Sequence, residues 1–323
     1  MYWMITDRGV EGDRLGGDHE ALSYWCSESE RVDRLSSWRK LSEKEFLRRL
    51  FEELDRFPAH PRPEDNELQK HLTLFVHGYN NDWEDAARRY RGICKDLFAP
   101  GTGLGICVLF TWPSDGMVTN YLPDRADARK AAPDLADVLS NAFDWLQRRQ
   151  QAGNLDPTKA CRAKTSVIAH SMGNYVLQHA MHQVWTRKSR PLLVSLVNQL
   201  VMVAADVDND LFAAGESIEQ SEGEGIANLT YRITVLYSGL DSVLGLSAGL
   251  KHFGKRRMGR SGLDLEAPRP DNVWQVDCSS LFSKRAASHH SAYFESPKTL
   301  ALIRRALEGS DRGVIESELR LPG

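Results

Sequence analysis

Thr165-Ser166-Val167-Ile168-Ala169-His170-Ser171-Met172-Gly173-Asn174 joins a short, β-rich apolar run to the start of a periodic helix. A serine at such a junction, with small residues two before and two after it, has the local pattern of a nucleophile elbow. The strained strand-to-helix turn leaves no room for bulk, and Ala169 and Gly173 meet that demand. Ala169 stands where glycine is usual and adds only a methyl group. From Met172 to about Trp185 the apolar residues Met172, Val176, Leu177, Ala180, Met181 and Val184 keep the spacing of an amphipathic helix packed on a sheet. The N-terminus of that helix would aim backbone N–H groups and a positive dipole end at Ser171. The Met172 N–H is thereby one donor for a developing oxyanion. The purely structural alternative is that Ser171 caps a helix, a position serine favours.

At 323 residues with 41% hydrophobic content, the chain can bury a substantial core. Composition and length force no split, and the expectation is one α/β domain over residues 1–323. A net charge of −3 gives no reason to expect nucleic acid as a partner. The N-terminal residues lack the features of a signal peptide, and no segment approaches the roughly 18 apolar residues of a membrane helix, so no stable membrane insertion is expected. Cys26, Cys94, Cys107, Cys161 and Cys278 are odd in number and scattered, which suits thiols in a reducing compartment. A cytoplasmic protein is the expectation.

Strand-like and helical runs alternate along the chain, the signature of a mostly parallel sheet covered on both faces. Eight strands are expected, at Tyr2 to Thr6, Ala21 to Cys26, His71 to Val76, Ile106 to Thr111, Thr165 to Ala169, Leu196 to Ala204, Tyr231 to Tyr237 and Asn272 to Val276. Besides the helix after Ser171, helical periodicity marks residues 42 to 57, 82 to 98, 131 to 149 and 296 to 307. Two stretches fit neither pattern and read as lid or loop insertions. Residues 206–230 open with a run rich in Asp, Glu and Gly, and residues 245–270 carry the glycines and the basic run Lys251-His252-Phe253-Gly254-Lys255-Arg256-Arg257.

A serine hydroxyl needs a base to take its proton and a third group to orient that base. In this architecture the acid follows the serine and the histidine comes last. Asp241 lies just beyond the strand ending at Tyr237, where the functional groups of α/β sheets gather, and ranks first as acid; Asp206 is the competitor after the preceding strand. His289 and His290 both lie downstream of the acid and ahead of the last helix, and spacing does not choose between them. A second oxyanion donor is expected in the turn after the strand His71 to Val76, where Gly78 lets the Tyr79 N–H face the serine. His77 precedes the serine and reads as a brace for that turn.

Several other signals carry less. Asp206-Val207-Asp208-Asn209-Asp210 begins like a calcium loop but lacks its later glycine and glutamate. His179 and His182 share a helical face without a third ligand, so no metal is expected. Gly101-Thr102-Gly103-Leu104-Gly105 precedes a strand and is a loop, not a phosphate cradle; no cofactor is expected. The run from Lys251 to Arg260 reads as a solvated loop, or as a site for a substrate anion.

Six motifs in one order resemble the DUF900 group of bacterial α/β-hydrolases: Phe75-Val76-His77-Gly78-Tyr79-Asn80-Asn81, Trp112-Pro113-Ser114-Asp115-Gly116, Ala169-His170-Ser171-Met172-Gly173-Asn174, Ala204-Ala205-Asp206-Val207-Asp208, Tyr237-Ser238-Gly239-Leu240-Asp241 and His290-Ser291-Ala292-Tyr293. The resemblance implies an α/β-hydrolase fold. It implies Ser171 as nucleophile, Asp241 as acid and His290 as base; the residue reading adds Tyr79 and Met172 as oxyanion donors and His77, Gly78, His170 and Gly173 as support. Ala292 is placed between Ser291 and the aromatic Tyr293, and a second histidine precedes His290, which keeps His289 as the alternative base. Asp206 stays as the alternative acid. The expected activity is cleavage of a small-molecule carboxylic ester through an acyl-enzyme, with acyltransferase or thioesterase chemistry, or a non-catalytic scaffold, as the alternatives.

Overall fold

The computed structural model describes residues 1–58, 67–79, 82–101, 103–114, 121–156, 163–187, 195–215, 217–248, 255–282, 288–319 and 321. Several sequence readings therefore lie outside the described residues: Asn80, Asn81, Thr102, Asp115, Gly116, Cys161 and Lys251 to Gly254. Contacts divide the chain into two compact units. One comprises Met1–Phe75 with Asn80–Ser166, the other Val76–Tyr79 with Val167–Gly323.

In the first unit the strands run in the order β3 (Arg39–Leu41), β2 (Arg14–Ser27), β1 (Tyr2–Glu11), β5 (Gly105–Thr111), β4 (His71–Val76). β1 and β2 form an antiparallel hairpin with Tyr2 opposite Ser27, and β1 pairs parallel with β5, Trp3 opposite Val108. Two capped helices cover these strands. Ser42 Oγ accepts from Glu45 N to open α1 (Glu43–Asp55), and the Asp82 carboxylate accepts from Asp85 N to open α2 (Trp83–Leu97). The buried Tyr90 hydroxyl of α2 accepts from Trp3 N at 2.9 Å and donates to Cys107 O at 2.8 Å, joining helix to sheet where no water reaches.

α3 (Tyr121–Leu155) starts ten residues earlier than the expected 131, and Pro133 lies inside it. Ala128, Ala131, Ala132, Leu135, Ala136 and Leu139 are all buried, so the apolar stripe runs straight through the proline. Packing along that stripe offsets the ~3 kcal/mol that an interior proline costs.

β6 (Lys164–His170) begins in the first unit and ends in the second. In the second unit the order continues β6, β7 (Val197–Val203), β8 (Thr230–Tyr237), β9 (Val273–Asp277). β7, β8 and β9 are parallel, with Val197 opposite Thr230 and Ile233 opposite Val273. β7 reads Val-Asn-Gln-Leu-Val-Met-Val and is almost wholly buried, the run expected of a parallel strand covered on both faces. Helices α4 (Gly173–Arg187), α5 (Ile218–Leu229), α8 (Pro297–Glu308) and α9 (Arg312–Leu319) complete this unit with the short α6 (Ser242–Leu246) and α7 (Met258–Ser261).

The result is a mostly parallel sheet of nine described strands with helices, one strand more than expected. The extra strand, β3, is three residues at an edge, too short to show alternation in sequence. Within 206–230 lies α5, opened by a capping box in which Ser217 and Gln220 satisfy each other's backbone. A Cβ at Gly223 would sit 1.8 Å from the Leu211 carbonyl oxygen, so this glycine serves a close backbone approach. Glu222 packs inward as well: it accepts from Gln178 at 2.5 Å and pairs with His179 at 2.8 Å, both on α4. Burial raises the Glu222 carboxyl, and the bonds from His179 and Gln178 outweigh this and hold it below its ordinary value.

Candidate active site

β6 ends at His170, α4 begins at Gly173, and Ser171 sits between them with φ of +52°. That left-handed backbone is strained for a residue with a side chain and persists only where its surroundings hold it. Here Ser171 N donates to Val203 O at 2.9 Å, and Ser171 O accepts from Asp206 N at 3.1 Å. Asn174 Nδ2 donates to Ala169 O at 2.9 Å and to Ser171 O at 3.1 Å, stapling the turn from inside the helix. A Cβ at Gly173 would lie 2.4 Å from His77 O and 2.6 Å from Val76 O, so glycine is required there by the chain that packs across it. One at Gly78 would lie 2.6 Å from the Ser171 Cβ and 2.9 Å from His170 Nδ1. The turn after β4 can lie against the serine only with glycine at that position.

His290 brings the downstream groups to the serine. Its Nε2 lies 2.8 Å from Ser171 Oγ, and its Nδ1 lies 2.7 Å from Asp241 Oδ2. A proton on Nδ1, donated to the carboxylate, leaves Nε2 to accept from the serine hydroxyl. The other carboxylate oxygen, Asp241 Oδ1, accepts from Leu244 N at 3.0 Å and caps α6. One side chain thus both caps a helix and holds the imidazole. The His290 carbonyl accepts from His170 Nε2 at 2.9 Å, with the two rings 4.9 Å apart. Ser171, Asp241 and His290 are 1%, 0% and 8% exposed, so the hydrogen-bonded series runs through buried ground.

The alternatives lie elsewhere. His289 packs against Phe282 at 5.8 Å. The Asp206 carboxylate accepts from Arg257 Nε at 2.7 Å and from Ser247 Oγ at 3.4 Å. His77 is fully buried, and its Nδ1 lies 2.9 Å from Gly78 O, as a brace for that turn requires. Met172 directly follows Ser171, and Tyr79 directly follows the Gly78 that lies against it.

Three contributors escaped the sequence reading. Asn174 stood inside the quoted motif but gave no sign that its amide would hold the elbow. Arg257 and Arg260 stood in the run expected to be solvated; instead Arg257 is wholly buried against Asp206 and Asp208, and Arg260 donates to the Asp241 carbonyl. Their spacing is that of a loop, and only the fold reveals their partners. Among the described residues no group of three His, Cys, Asp or Glu side chains could hold a metal ion, and no helix is long and apolar enough to cross a membrane.

A family model described as "Alpha/beta hydrolase of unknown function (DUF900)" matches residues 63–306. The chain belongs to the DUF900 family. This DUF900 protein has the α/β-hydrolase fold, with its strands, helices and serine elbow as described above. It is 24% identical over 329 residues to the uncharacterized protein alr1448 of Nostoc sp., covering 77% of this chain and 81% of that protein. Among solved structures it is similar to Aspergillus fumigatus lipase B, with 14% identity, a TM-score of 0.40, and coverage of 83% of this chain and 57% of the lipase. The DUF900 chain therefore matches a little over half the length of that lipase. It is also similar to a Pyrobaculum calidifontis esterase, with 12% identity, a TM-score of 0.36, and coverage of 82% and 91%.

Proposed function

We propose that this protein is a serine hydrolase that cleaves a small-molecule carboxylic ester through an acyl-enzyme intermediate. The observation that carries the reading is the continuous series from Ser171 Oγ to His290 Nε2 at 2.8 Å and from His290 Nδ1 to Asp241 Oδ2 at 2.7 Å. His290 takes the proton of Ser171 as its oxygen attacks the acyl carbonyl, and Asp241 stabilises the imidazolium that forms. The Tyr79 and Met172 N–H groups receive the oxyanion. Collapse of the tetrahedral intermediate expels the alcohol, which takes the proton from His290. Water then loses a proton to the same histidine, attacks the acyl-enzyme, and the acid leaves as Ser171 regains its hydrogen.

The test is labelling by a fluorophosphonate together with turnover of p-nitrophenyl acetate. The parent is expected to label at Ser171, while Ser171→Ala takes no label and loses about 10⁴-fold or more in kcat with an unchanged melting temperature. A Ser171→Ala protein that turns over ester at the parent rate sinks the proposal. An unlabelled, inactive parent favours the non-catalytic scaffold, and acyl transfer to added alcohols or thiols in preference to water favours the acyltransferase.

A further inference from the structure

Residues Lys255 to Gly262, which contain α7, run against the ends of β7 and β8 within the second unit. Met258 N donates to Val207 O and Gly259 N to Ala205 O, each at 2.9 Å, and Ser238 N donates to Gly259 O at 3.0 Å. A Cβ at Gly259 would fall 2.2 Å from the Ala204 carbonyl carbon, so the two backbones touch. Ala204 itself has φ of +45°, the second strained non-glycine residue among those described. The strain therefore lies at Ser171 itself and at Ala204, just past the end of β7.

Two arginines of this segment reach in different directions. Arg257, its side chain 0% exposed, donates from Nε to Asp206 Oδ1 at 2.7 Å and from its terminal nitrogens to Asp208 Oδ1 and to the Asp206 carbonyl. Asp206 N in turn donates to Ser171 O at 3.1 Å. Arg260 donates to the carbonyl of Asp241, the residue that holds His290. Lys255 lies 2.9 Å from Asp208, so two cations balance two carboxylates beside the serine turn. An uncompensated carboxylate there would oppose the oxyanion and favour the imidazolium.

We propose that Arg257 and Arg260 are positioning residues for the hydrolytic reaction: one helical turn clamps the serine turn through Asp206 and the acid loop through the Asp241 carbonyl, and Arg257 neutralises the acidic pair next to the nucleophile. This rests on the reading of Ser171, His290 and Asp241 given above. Besides Asp241 on the loop after β8, the groups around His290 are His170 and Ser171 at the end of β6, His289 beside it, and the buried Tyr293 just after it. Asp206 and Asp208 lie on the loop after β7, Asp277 ends β9 and Cys278 follows it.

The experiment measures fluorophosphonate labelling, and kcat and KM for p-nitrophenyl acetate from pH 5.5 to 9.5, on the full chain. Arg257→Met is expected to lose about 30-fold in kcat with KM within about twofold. The acid limb of its pH–rate profile should move up by about half a pH unit, because the lost cation no longer offsets Asp206 and Asp208. Arg257→Lys should return the limb to the parent position, and Asp206→Asn added to Arg257→Met should do the same. Arg260→Met leaves the buried ion pair intact and should lower kcat about 10-fold at constant KM; it carries the test alone if Arg257→Met does not fold. A parent that labels at Ser171, with Arg257→Met and Arg260→Met both at parent kcat and with an unmoved limb, overturns the clamp. A parent that takes no label overturns the triad reading and the clamp with it.

Discussion

Asp241 concentrates two demands in one carboxylate, since Oδ1 caps α6 and Oδ2 holds His290 Nδ1. Asp241→Asn separates them. The amide oxygen can still accept from Leu244 N, while its NH2 now faces Nδ1 and forces the imidazole proton onto Nε2, where it no longer accepts from Ser171. The expected outcome is a melting temperature close to the parent's and a fall in kcat of about 10⁴-fold, read from p-nitrophenyl ester turnover. Turnover within tenfold of the parent would remove Asp241 from the reaction. The small residues around the serine obey a related logic. Gly173 was legible as a place needing a small residue and Gly78 as a turn glycine, but the demand on each comes from a specific contact: the first lies under the Val76 and His77 carbonyls, the second against the Ser171 Cβ. Neither partner is adjacent in sequence.

At the scale of elements, the ends of β4 and β6 that lie in the first unit enclose a titratable group. His71 is 0% exposed, with Nδ1 2.7 Å from Ser166 Oγ, and burial, reinforced by Lys164 and Lys70, lowers its pKa from 6.5 to about 3. Above pH 6.5 the imidazole is neutral in folded and unfolded chains alike. Between about 6.5 and 3 the unfolded chain binds a proton that the folded one refuses, so stability falls as pH falls, by at most about 1.4 kcal/mol per pH unit. His71→Gln can keep a bond to Ser166 and does not titrate. Its urea midpoint should therefore vary less from pH 6.5 to 4 than the parent's; equal slopes would show that His71 does not govern this window. The elements themselves were largely readable, because β4 to β9 are short apolar runs and α1, α2, α4 and α8 each carry a helical period, with side-chain caps at α1 and α2. β3 was too short for that, and the first ten residues of α3, Tyr-Leu-Pro-Asp-Arg-Ala-Asp-Ala-Arg-Lys, carry too few large apolar side chains to show a helical period.

For the whole molecule, thiol chemistry reports on packing throughout the chain. Cys26, Cys107 and Cys278 are buried free thiols, and burial pushes Cys107 and Cys278 above the ordinary thiol range. Ellman's reagent should leave these three unmodified in the native protein and titrate all five cysteines after denaturation. Rapid native modification of Cys107 or Cys278, mapped by mass, would contradict the packing described. The amino-acid sequence by itself marked most of the strands and helices, the serine turn, and Ser171, Asp241 and the His289-His290 pair in that chain order, because hydrophobic period, turn residues and small-residue spacing are local properties. Only the tertiary structure decided between His289 and His290 as the partner of Ser171 and Asp241, put Arg257 into the interior, and gave Asn174 its carbonyl partners. Those outcomes depend on hydrogen-bond geometry and burial between residues up to 119 positions apart, which no local pattern encodes.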